Sequence, residues 1–549
     1  MWTLCTGLAL ATPSFDPTTP DARLEGQQTW TQTGEIRLWN AIERWSDPDT
    51  ELFAAEAFNT ATGWKDAEPS PWIATSFGTP TPPSSTFLLH VGIHEPSAEG
   101  TPILMVPGAG DNGSRGFVTL ATHMDKLNRP VFALTFAHPH GDVWMQAEVV
   151  ADAVAAITAR TGAAQVDLVG HSKGGLAVAA YLANHAGADF GPDAYRAVGT
   201  AYRGDVRRAV FVATPLGGVD TSFRWAGLNL YALDPDQAIS PTSWDRYWPN
   251  GLLLPYDDLI DQDFLPDGRD LFPGQRQVLR RQDHPLPGSL SWLGLYALQP
   301  DWYTTYEGGT GFVSRSDGID AAIEAGGSFI DALATVGLDP SVEVYQVAGS
   351  NPLLPNGDDT LANQFDQLGD LVDYPELLSD LGAHGVEIDA DADELDALER
   401  GTLVLGEITG RADGVVFVDS ATQTTPITAR GGAVAEVLVA DLSHLDLLYA
   451  SPITGQLLID AADAGGPDEQ WMRPVGERYA AADTIGWIDR VLADSTGDST
   501  GEPPPTDTGG AGGVPPELEF DRPCGSCSAA PGAGWLAWLI APWAARRRR

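Results

Sequence analysis

Short apolar runs alternate with longer stretches of helical periodicity through the middle of the chain. Each run is bounded by proline, glycine or polar residues, which is typical of a buried β-strand. The runs are Ile103–Val106, Val131–Leu134, Val166–Val169, Val210–Ala213, Val342–Val347 and Ala435–Val439. Strands that alternate with helices build a largely parallel sheet with helices on its faces. The pattern therefore predicts an α/β fold.

One helix in this series carries both of its end signals. Asp142 stands where an N-cap belongs, and Gly162 stands where a left-handed C-terminal residue belongs. Between them, apolar residues recur at helical spacing: Trp144, Ala147, Val150, Val154 and Ile157. The spacing predicts one helix with a single buried face.

The region before the first of these strands reads differently. Residues 29–94 carry scattered large apolar residues among turn formers, which is typical of β-structure. We take 12–100 as a β-rich N-terminal segment. The pattern fits either the antiparallel start of the main sheet or a small accessory β domain.

A G-x-S-x-G motif, Gly170-His171-Ser172-Lys173-Gly174, directly follows the run Val166–Val169. The motif lies between a predicted strand and a predicted helix, where a nucleophile elbow holds its serine on a strained turn above the sheet edge. Glycine at the flanking positions leaves room for that turn. A serine- and glycine-rich turn could match by chance, but the strand and helix around it favour Ser172 as a nucleophile.

A serine nucleophile needs a base and an acid, and in such folds the chain order is serine, acid, histidine. After Ser172 the histidines are His185, His284, His384 and His444. His185 lies close after the elbow and His284 lies inside an insertion. His444 follows the last predicted strand, where a loop would bring it over the serine, so we predict His444 as the base.

Asp413 is the predicted acid. It stands in Ala412-Asp413-Gly414-Val415-Val416, where the glycine suits a tight turn and the valines would anchor it. Asp358 and Asp359 lie closer to the preceding strand and remain alternatives, with His384 as their base. The oxyanion hole requires two backbone N–H groups. We predict Lys173 as one, and Ala109 in the loop Pro107-Gly108-Ala109-Gly110 as the other.

The predicted hydrolase core consists of two halves, 101–215 and 342–494. One insertion separates the halves and a second lies inside the second half. The first, 216–341, is rich in Trp and Tyr and broken by prolines, which predicts a cap or lid; a self-contained stabilising subdomain is the alternative. The second, 351–400, is acidic. Its Asp389-x-Asp391-x-Asp393 lacks the glycine and glutamate of an EF-hand, so we interpret it as the acidic start of a helix.

Other metal signals are equally weak. His138-Pro139-His140-Gly141-Asp142 could hold a metal, but we expect it to line the pocket rim and to cap the next helix. No cofactor is expected. The three cysteines, Cys5, Cys524 and Cys527, all lie near the termini, so the predicted catalytic body contains none.

The charge balance excludes some partners. A formal net charge of −44 argues against nucleic acid and anionic membranes. Only three lysines, Lys65, Lys126 and Lys173, are present. An acidic, lysine-poor surface suits a saline habitat, and a GC-rich genome would give the same composition.

The two ends of the chain indicate export. Residues 1–11 resemble a secretory signal peptide with a truncated basic region. Residues 495–523 have the composition of a flexible linker. Residues 524–549 combine a Cys-Gly-Ser-Cys motif, a short apolar stretch and four arginines. That order resembles the myxobacterial-type C-terminal sorting tag, which implies a protein read by an export system and placed at the cell surface or released.

The catalytic motifs carry a second resemblance. The loop Pro102–Gly110 is similar to the oxyanion loop of serine lipases, and the elbow is similar to that of bacterial lipases and esterases. Asp413–Val416 and Ser443–Asp446 resemble the acid and histidine loops of bacterial triacylglycerol lipases. The resemblance implies an α/β-hydrolase fold and, at the position of Asp446, a structural calcium ligand. The long separation between the strand ending at Val347 and Asp413 departs from the family.

From these features we expect an exported lipase or esterase of the α/β-hydrolase superfamily that acts on a hydrophobic ester as a monomer. Polyester depolymerisation or acyl transfer on the same residues is the alternative within enzymes. A surface-displayed binding protein on an inactive hydrolase scaffold is the alternative outside them.

Overall fold

The computed structural model describes most of the predicted hydrolase body. Within the chain it describes 23–29, 39–47, 76–78, 82, 85–92, 100–109, 111–113, 116–138, 141–185, 187–188, 190, 200–221, 273–284, 318–354, 403–404, 410–465 and 469–494. The predicted signal peptide, linker and sorting tag lie outside these residues. So do the aromatic centre of the predicted cap and nearly all of the acidic insertion.

A nine-stranded mixed sheet forms the centre of the molecule, in the order β1-β2-β3-β5-β4-β6-β7-β8-β11. The strands from β5 to β11 along this order are parallel to one another. The nine strands are Arg23–Thr29, Trp39–Ser46, Thr86–Gly92, Ile103–Val106, Val131–Phe136, Val166–His171, Val206–Val212, Glu343–Gly349 and Val434–Ala440, numbered β1 to β8 and β11. A separate short pair joins β9 (Leu353–Leu354) to β10 (Leu403–Val404).

Eleven described helices accompany the strands. They are α1 (Val118–Lys126), α2 (Val143–Thr161), α3 (Lys173–Ala183), α4 (Pro273–Gln277), α5 (Ile319–Ala325), α6 (Phe329–Val336), α7 (Val418–Ala421), α8 (Thr425–Thr428), α9 (Pro452–Asp463), α10 (Glu469–Ala482) and α11 (Thr484–Leu492). A 3-10 turn covers Asp446–Leu448. None of the helices in the described ranges is both long enough and apolar enough to cross a membrane.

Successive residues of the central strands feed two separate cores, as the period of a β-strand requires. In β6, Leu168 points into the core built with α2, α3 and α6. Its neighbour Val169 points into the opposite core, built with α1 and α11. Strands buried on both faces read as continuous apolar runs, which is why interior strands such as β4 and β6 could be predicted from the sequence. Strand β11, at the edge of the sheet, is only partly buried.

The N-terminal strands belong to the main sheet. Strand β3 pairs antiparallel with β5, β2 pairs antiparallel with β3, and β1 pairs antiparallel with β2. Of the two predicted arrangements, the described residues therefore adopt the antiparallel start of the main sheet.

The predicted helix after Asp142 is present with both of its caps. Asp142 Oδ1 accepts the Met145 N–H at 2.9 Å. Gly162 ends the helix in a left-handed conformation with φ 74°. This helix, α2, packs against α3 and against β3, β5 and β6, and so fixes the surroundings of the elbow.

The described parts of the predicted cap are integral to the hydrolase core. Val278, at the end of α4, and Phe329 and Leu333 of α6 are buried in the same core as α2 and α3. Val219 and Leu279 also form a parallel bridge. The cap predicted for 216–341 stays a prediction, because the rest of that segment lies outside the described residues.

Six parallel strands flanked by helices on both faces, with a strand-turn-helix at the end of central strand β6, constitute an α/β-hydrolase fold. The predicted fold class is confirmed.

Candidate active site

Ser172 occupies a strained turn between β6 and α3. Its backbone has φ 50° and ψ −130°, a positive φ that residues other than glycine seldom adopt. The Ser172 N–H donates to the Val212 carbonyl at 2.8 Å, and the Gly175 N–H donates to the Ser172 carbonyl at 2.9 Å. The side chain keeps 8% of its surface exposed. Strain of this kind persists where surrounding contacts hold it, and it clusters at functional sites.

The loop after β4 passes directly over this turn. A Cβ added to Gly108 would lie 2.9 Å from Ser172 Cβ, and a Cβ added to Gly174 would lie 2.2 Å from the Pro107 carbonyl oxygen. Only glycine permits such an approach of two backbones. Ala109, the predicted oxyanion donor, follows Gly108 and is half-buried.

Lys173, the other predicted oxyanion donor, is the first residue of α3. Backbone N–H groups in the first turn of a helix have no partner inside the helix and face the positive end of its dipole. The two predicted donors thus lie on the two segments that meet at Ser172.

Asp413 is completely buried in a tight turn. Its Oδ1 accepts the N–H groups of Val415 and Val416 at 3.0 and 2.7 Å. Gly414 adopts φ 94°, so the predicted need for glycine beside the acid is met. Three fixed polar contacts, two from backbone N–H groups and one from a histidine, hold the carboxylate in one orientation.

His444 is the third partner of that carboxylate. Its Nδ1 lies 2.8 Å from Asp413 Oδ2, and its backbone N–H donates to the Asp413 carbonyl at 2.9 Å. A carboxylate accepts hydrogen bonds, so we assign the proton to Nδ1, which leaves the Nε2 lone pair as a base. His444 is 6% exposed and lies in the loop after β11.

The long excursion before Asp413 returns to the strand it left. Strand β8 ends at Gly349, and a Cβ added there would lie 2.7 Å from Asp413 Cβ. The departure from the lipase pattern is therefore one of chain length, because Asp413 lies at the carboxyl end of β8 in space. The alternatives Asp358, Asp359 and His384 lie outside the described residues.

The structure links His444 to the elbow through the residue before the serine. His171 Nε2 lies 3.1 Å from the His444 carbonyl oxygen, and the two imidazole centroids are 4.8 Å apart. Among the hydrogen bonds of the described residues, none joins Ser172 to His444 directly. The predicted acid and base are thus brought into contact, and the predicted base lies beside His171, the residue before the predicted nucleophile.

The other histidines lie elsewhere. His185 follows the end of α3. His284 stacks on Phe417, with ring centroids 3.9 Å apart. His138 is buried with its Nε2 3.0 Å from the Pro82 carbonyl, and burial lowers its pKa to about 3. As predicted, Asp142 in that motif caps the next helix; His140 lies outside the described residues.

The Lys173 side chain forms a contact that the motif did not predict. Its Nζ is buried and donates to Gln146 Oε1 on α2. Burial lowers the pKa of Lys173 to about 7, against the opposing effect of Asp142. The G-x-S-x-G pattern leaves the identity of this residue open, so no sequence signal predicted the contact.

Helix α4, inside the predicted cap, is fastened beside this lysine. Gln277 Nε2 donates to Asp142 Oδ2 at 2.7 Å, and the Val143 N–H donates to Gln277 Oε1 at 2.7 Å. A Cβ added to Gly274 would lie 2.1 Å from Lys173 Cε. This part of the insertion therefore contacts residues that pack directly against the elbow.

Asp446, the candidate calcium ligand, has two hydroxyl partners. Ser443 Oγ donates to Oδ2 at 2.7 Å, and the Tyr479 hydroxyl donates to Oδ1. Burial raises the pKa of Asp446. These contacts tie the loop around His444 to α10 and account for both carboxylate oxygens without a cation.

A separate group of buried carboxylates comprises Asp47, Glu148 and Asp152, whose oxygens lie within 4.8 Å of one another. Glu148 accepts the Thr200 hydroxyl at 2.7 Å as well as the Thr200 N–H. Burial raises the pKa of Glu148, which favours its neutral form in this group.

No family model matches the chain, and no curated protein matches it. Solved structures do. A mature lipase of Bacillus licheniformis is 13% identical over 68% of this chain and 97% of its own, with a TM-score of 0.31. A thermostable carboxyl esterase from Bacillus coagulans, solved with glycerol, is 12% identical over 48% and 76%, with a TM-score of 0.23. A lipase-esterase related protein from Clostridium acetobutylicum is 11% identical over 66% and 93%, with a TM-score of 0.24.

These solved structures share low TM-scores and low sequence identity with the chain. The α/β-hydrolase fold class is defined by the strand order and by the strained turn after β6. Polar residues gather at that edge of the sheet.

Proposed function

We propose that this protein is a serine hydrolase of carboxylic esters, of the lipase or esterase type, with Ser172, His444 and Asp413 as its catalytic triad. The observation that carries the proposal is the Asp413–His444 pair, 2.8 Å apart, at the sheet edge where the elbow presents Ser172. A serine hydroxyl becomes nucleophilic when a base oriented by a carboxylate takes its proton.

The chemistry follows from these positions. Ser172 Oγ attacks the ester carbonyl carbon while His444 Nε2 takes the hydroxyl proton. The N–H groups of Ala109 and Lys173 stabilise the oxyanion of the tetrahedral intermediate. His444 then gives its proton to the leaving alkoxide, and an acyl-enzyme forms on Ser172. Water, deprotonated by His444, hydrolyses that ester and restores the serine.

The direct Ser172–His444 hydrogen bond is part of this proposal. Catalytic hydrogen bonds are often long in the free enzyme and shorten when substrate binds. His444 is already fixed through Asp413 and lies against His171, the neighbour of Ser172.

A hydrophobic ester is the proposed substrate class. Leu445, directly after His444, and Val118, in the first turn of α1, remain 38% and 39% exposed. The aromatic residues of the predicted cap extend this apolar character in the sequence.

Hydrolysis of a nitrophenyl ester series from acetyl to palmitoyl tests the proposal. Ser172→Ala should lower kcat by about 10⁴-fold or more, while the melting temperature stays within a few degrees of wild type. Ser420→Ala is the matched control, because Ser420 is also buried and its Oγ donates to the Gly218 carbonyl away from the site. A fluorophosphonate should label wild type and the control, and leave Ser172→Ala unlabelled.

The pattern across the series also assigns the subclass. Activity that rises with acyl length would indicate a lipase, and activity confined to short chains an esterase. Serine-dependent activity on polyester films alone would indicate a depolymerase, and transfer to added alcohols an acyltransferase. Wild type that neither turns over esters nor takes the label would exclude a serine hydrolase and favour a binding protein.

We further propose that the protein is exported and held at the cell surface by residues 524–549. The support is the order of cysteines, apolar stretch and arginines in that segment. In a host that processes such tags, the full chain should be accessible to external protease on intact cells. Cys524→Ser with Cys527→Ser should abolish surface retention, and equal retention of both proteins would contradict the proposal.

A further inference from the structure

His171, the residue before the nucleophile, lies between the two loops that complete the site. It ends strand β6 and is 3% exposed. Its Nε2 lies 3.1 Å from the His444 carbonyl oxygen. A carbonyl can only accept, so Nε2 carries the proton and donates, and Nδ1 bears the lone pair.

The other ring nitrogen, Nδ1, faces the oxyanion loop. A Cβ added to Gly108 would lie 3.1 Å from His171 Nδ1. Among the described residues, Nδ1 has no hydrogen-bond partner. The ring therefore fills the space between the oxyanion loop on one side and the histidine loop on the other, and its hydrogen-bonded edge faces the histidine loop.

His444 is anchored from two directions, and they differ in what they refer to. Asp413 holds the His444 N–H and Nδ1, which ties the histidine to the end of β8. His171 holds the His444 carbonyl, which ties it to β6, the strand that ends in the nucleophile itself. The second anchor joins His444 directly to the strand that leads into Ser172.

We propose that His171 is a positioning residue: its Nε2–H holds the His444 backbone, and its ring sets the spacing between the histidine loop and the oxyanion loop across Ser172. The inference rests on the proposed function and deepens it. A reacting group displaced by about 1 Å loses on the order of 100-fold in rate, so one buried anchor can matter at this scale.

The charge state of His171 suits this role. Burial lowers its pKa to about 3, with the neighbouring His444 contributing in the same direction. The ring is therefore neutral at physiological pH. It can hold the His444 backbone without placing a second positive charge beside the imidazolium that forms during the reaction.

Two substitutions at 171 separate the donor from the bulk. His171→Leu keeps much of the volume but has no donor, and it should lower kcat by 10- to 100-fold with KM changed by less than about twofold. His171→Gln offers an amide N–H near the position of Nε2 and should recover most of that loss. His90→Leu is the control, because His90 is also buried, on β3 with two strands between it and β6, and its Nε2 lies 2.7 Å from Thr135 Oγ1.

Several results would overturn the inference while leaving the proposed function intact. They are equal kcat for His171→Leu and His171→Gln, an effect confined to KM, or an equal loss in His90→Leu. A wild type without ester turnover and without fluorophosphonate labelling would instead remove the proposed function and this inference together.

A second measurement needs no variant to fold. Nitrogen-15 NMR of the histidine side chains in the wild-type protein should show His171 as a neutral ring with the proton on Nε2 between pH 5 and 8. A proton on Nδ1, or a charged ring in that range, would contradict the hydrogen bond on which the inference rests.

Discussion

The two ends of strand β6 are built on opposite principles. At its amino end, the buried carboxylate of Asp167 is held by Arg207 in a bidentate pair of 2.9 and 2.5 Å, with Arg129 at 3.7 Å. At its carboxyl end, Ser172 sits in a strained conformation and His171 keeps a nitrogen without a hydrogen-bond partner among the described residues.

The contrast extends along both edges of the sheet. At the amino edge, Arg129 and Arg207 donate to the Leu492 carbonyl at 3.1 and 3.0 Å, and Thr101 donates twice to Asp494. These contacts satisfy charges and close the end of α11 onto the sheet. At the carboxyl edge, the hydrogen bonds of Asp413 and His171 instead hold His444 in one orientation. The two ends of β6 thus differ: the amino end lies among paired charges, and the carboxyl end leads into the proposed catalytic residues.

The largest effect should come from the carboxyl edge. Asp413→Asn keeps the two N–H contacts to the turn but presents an amide to His444 Nδ1, which favours the wrong tautomer. We expect kcat to fall by about 10⁴-fold with little change in the free energy of unfolding. Ester kinetics together with urea denaturation measure both quantities. A variant that keeps wild-type kcat would return the role of acid to another residue.

The amino edge should show the reverse. Arg207→Met leaves Asp167 buried with only a distant partner, and it should lower the free energy of unfolding by about 3 kcal/mol or more while the folded enzyme keeps its kcat. Arg208→Met is the adjacent control, because Arg208 pairs with the exposed Glu343 and should cost about 1 kcal/mol or less. Equal costs at the two positions would break the comparison.

Lys173 provides a pH-dependent test at the carboxyl edge. Its pKa is lowered from 10.5 to about 7 in the folded protein, so the unfolded chain binds more protons between those values and wild-type stability should rise with pH there. Lys173→Met lacks this titration. Its stability relative to wild type should be highest below pH 7 and should decline up to pH 10.5, by roughly 1.4 kcal/mol per unit of pKa shift.

Urea denaturation at several pH values measures that difference. Lys126→Met, at an exposed lysine in the last turn of α1, is the control for loss of a lysine outside the buried site. A flat difference for Lys173→Met would mean that the lysine is not held out of water in solution.

The smallest effect concerns calcium. Both oxygens of Asp446 already accept hydroxyl protons, so chelation with EDTA should leave the melting temperature within about 1 °C of the untreated protein, and added calcium should not raise it. A rise with calcium that follows mass action would restore the metal site that the lipase resemblance implies. Asp446→Asn would then remove that rise.

Much of this organisation was legible in the sequence because it is local. Strand β4 was predicted to the residue, since a parallel strand buried on both faces is a continuous apolar run. The caps at Asp142 and Gly162, and the glycine turn beside Asp413, follow from backbone requirements within a few residues.

The remainder depends on contacts between distant parts of the chain. His171 and His444 are 273 residues apart, and Arg207 and Asp494 are 287 apart. No spacing rule encodes such pairs. The position of Asp413 at the end of β8 was obscured by the excursion between them, and the packing of α4 against Lys173 was hidden because the insertion read as one aromatic block.

The contacts of Asp494 also define where the described part of the chain ends. Thr101 and Arg207 fix this residue at the amino edge of the sheet, and the chain beyond it departs from there. Ser172 opens at the opposite edge. If residues 524–549 hold the protein at the cell surface as proposed, the described body joins that tether at the sheet edge opposite the proposed nucleophile, Ser172.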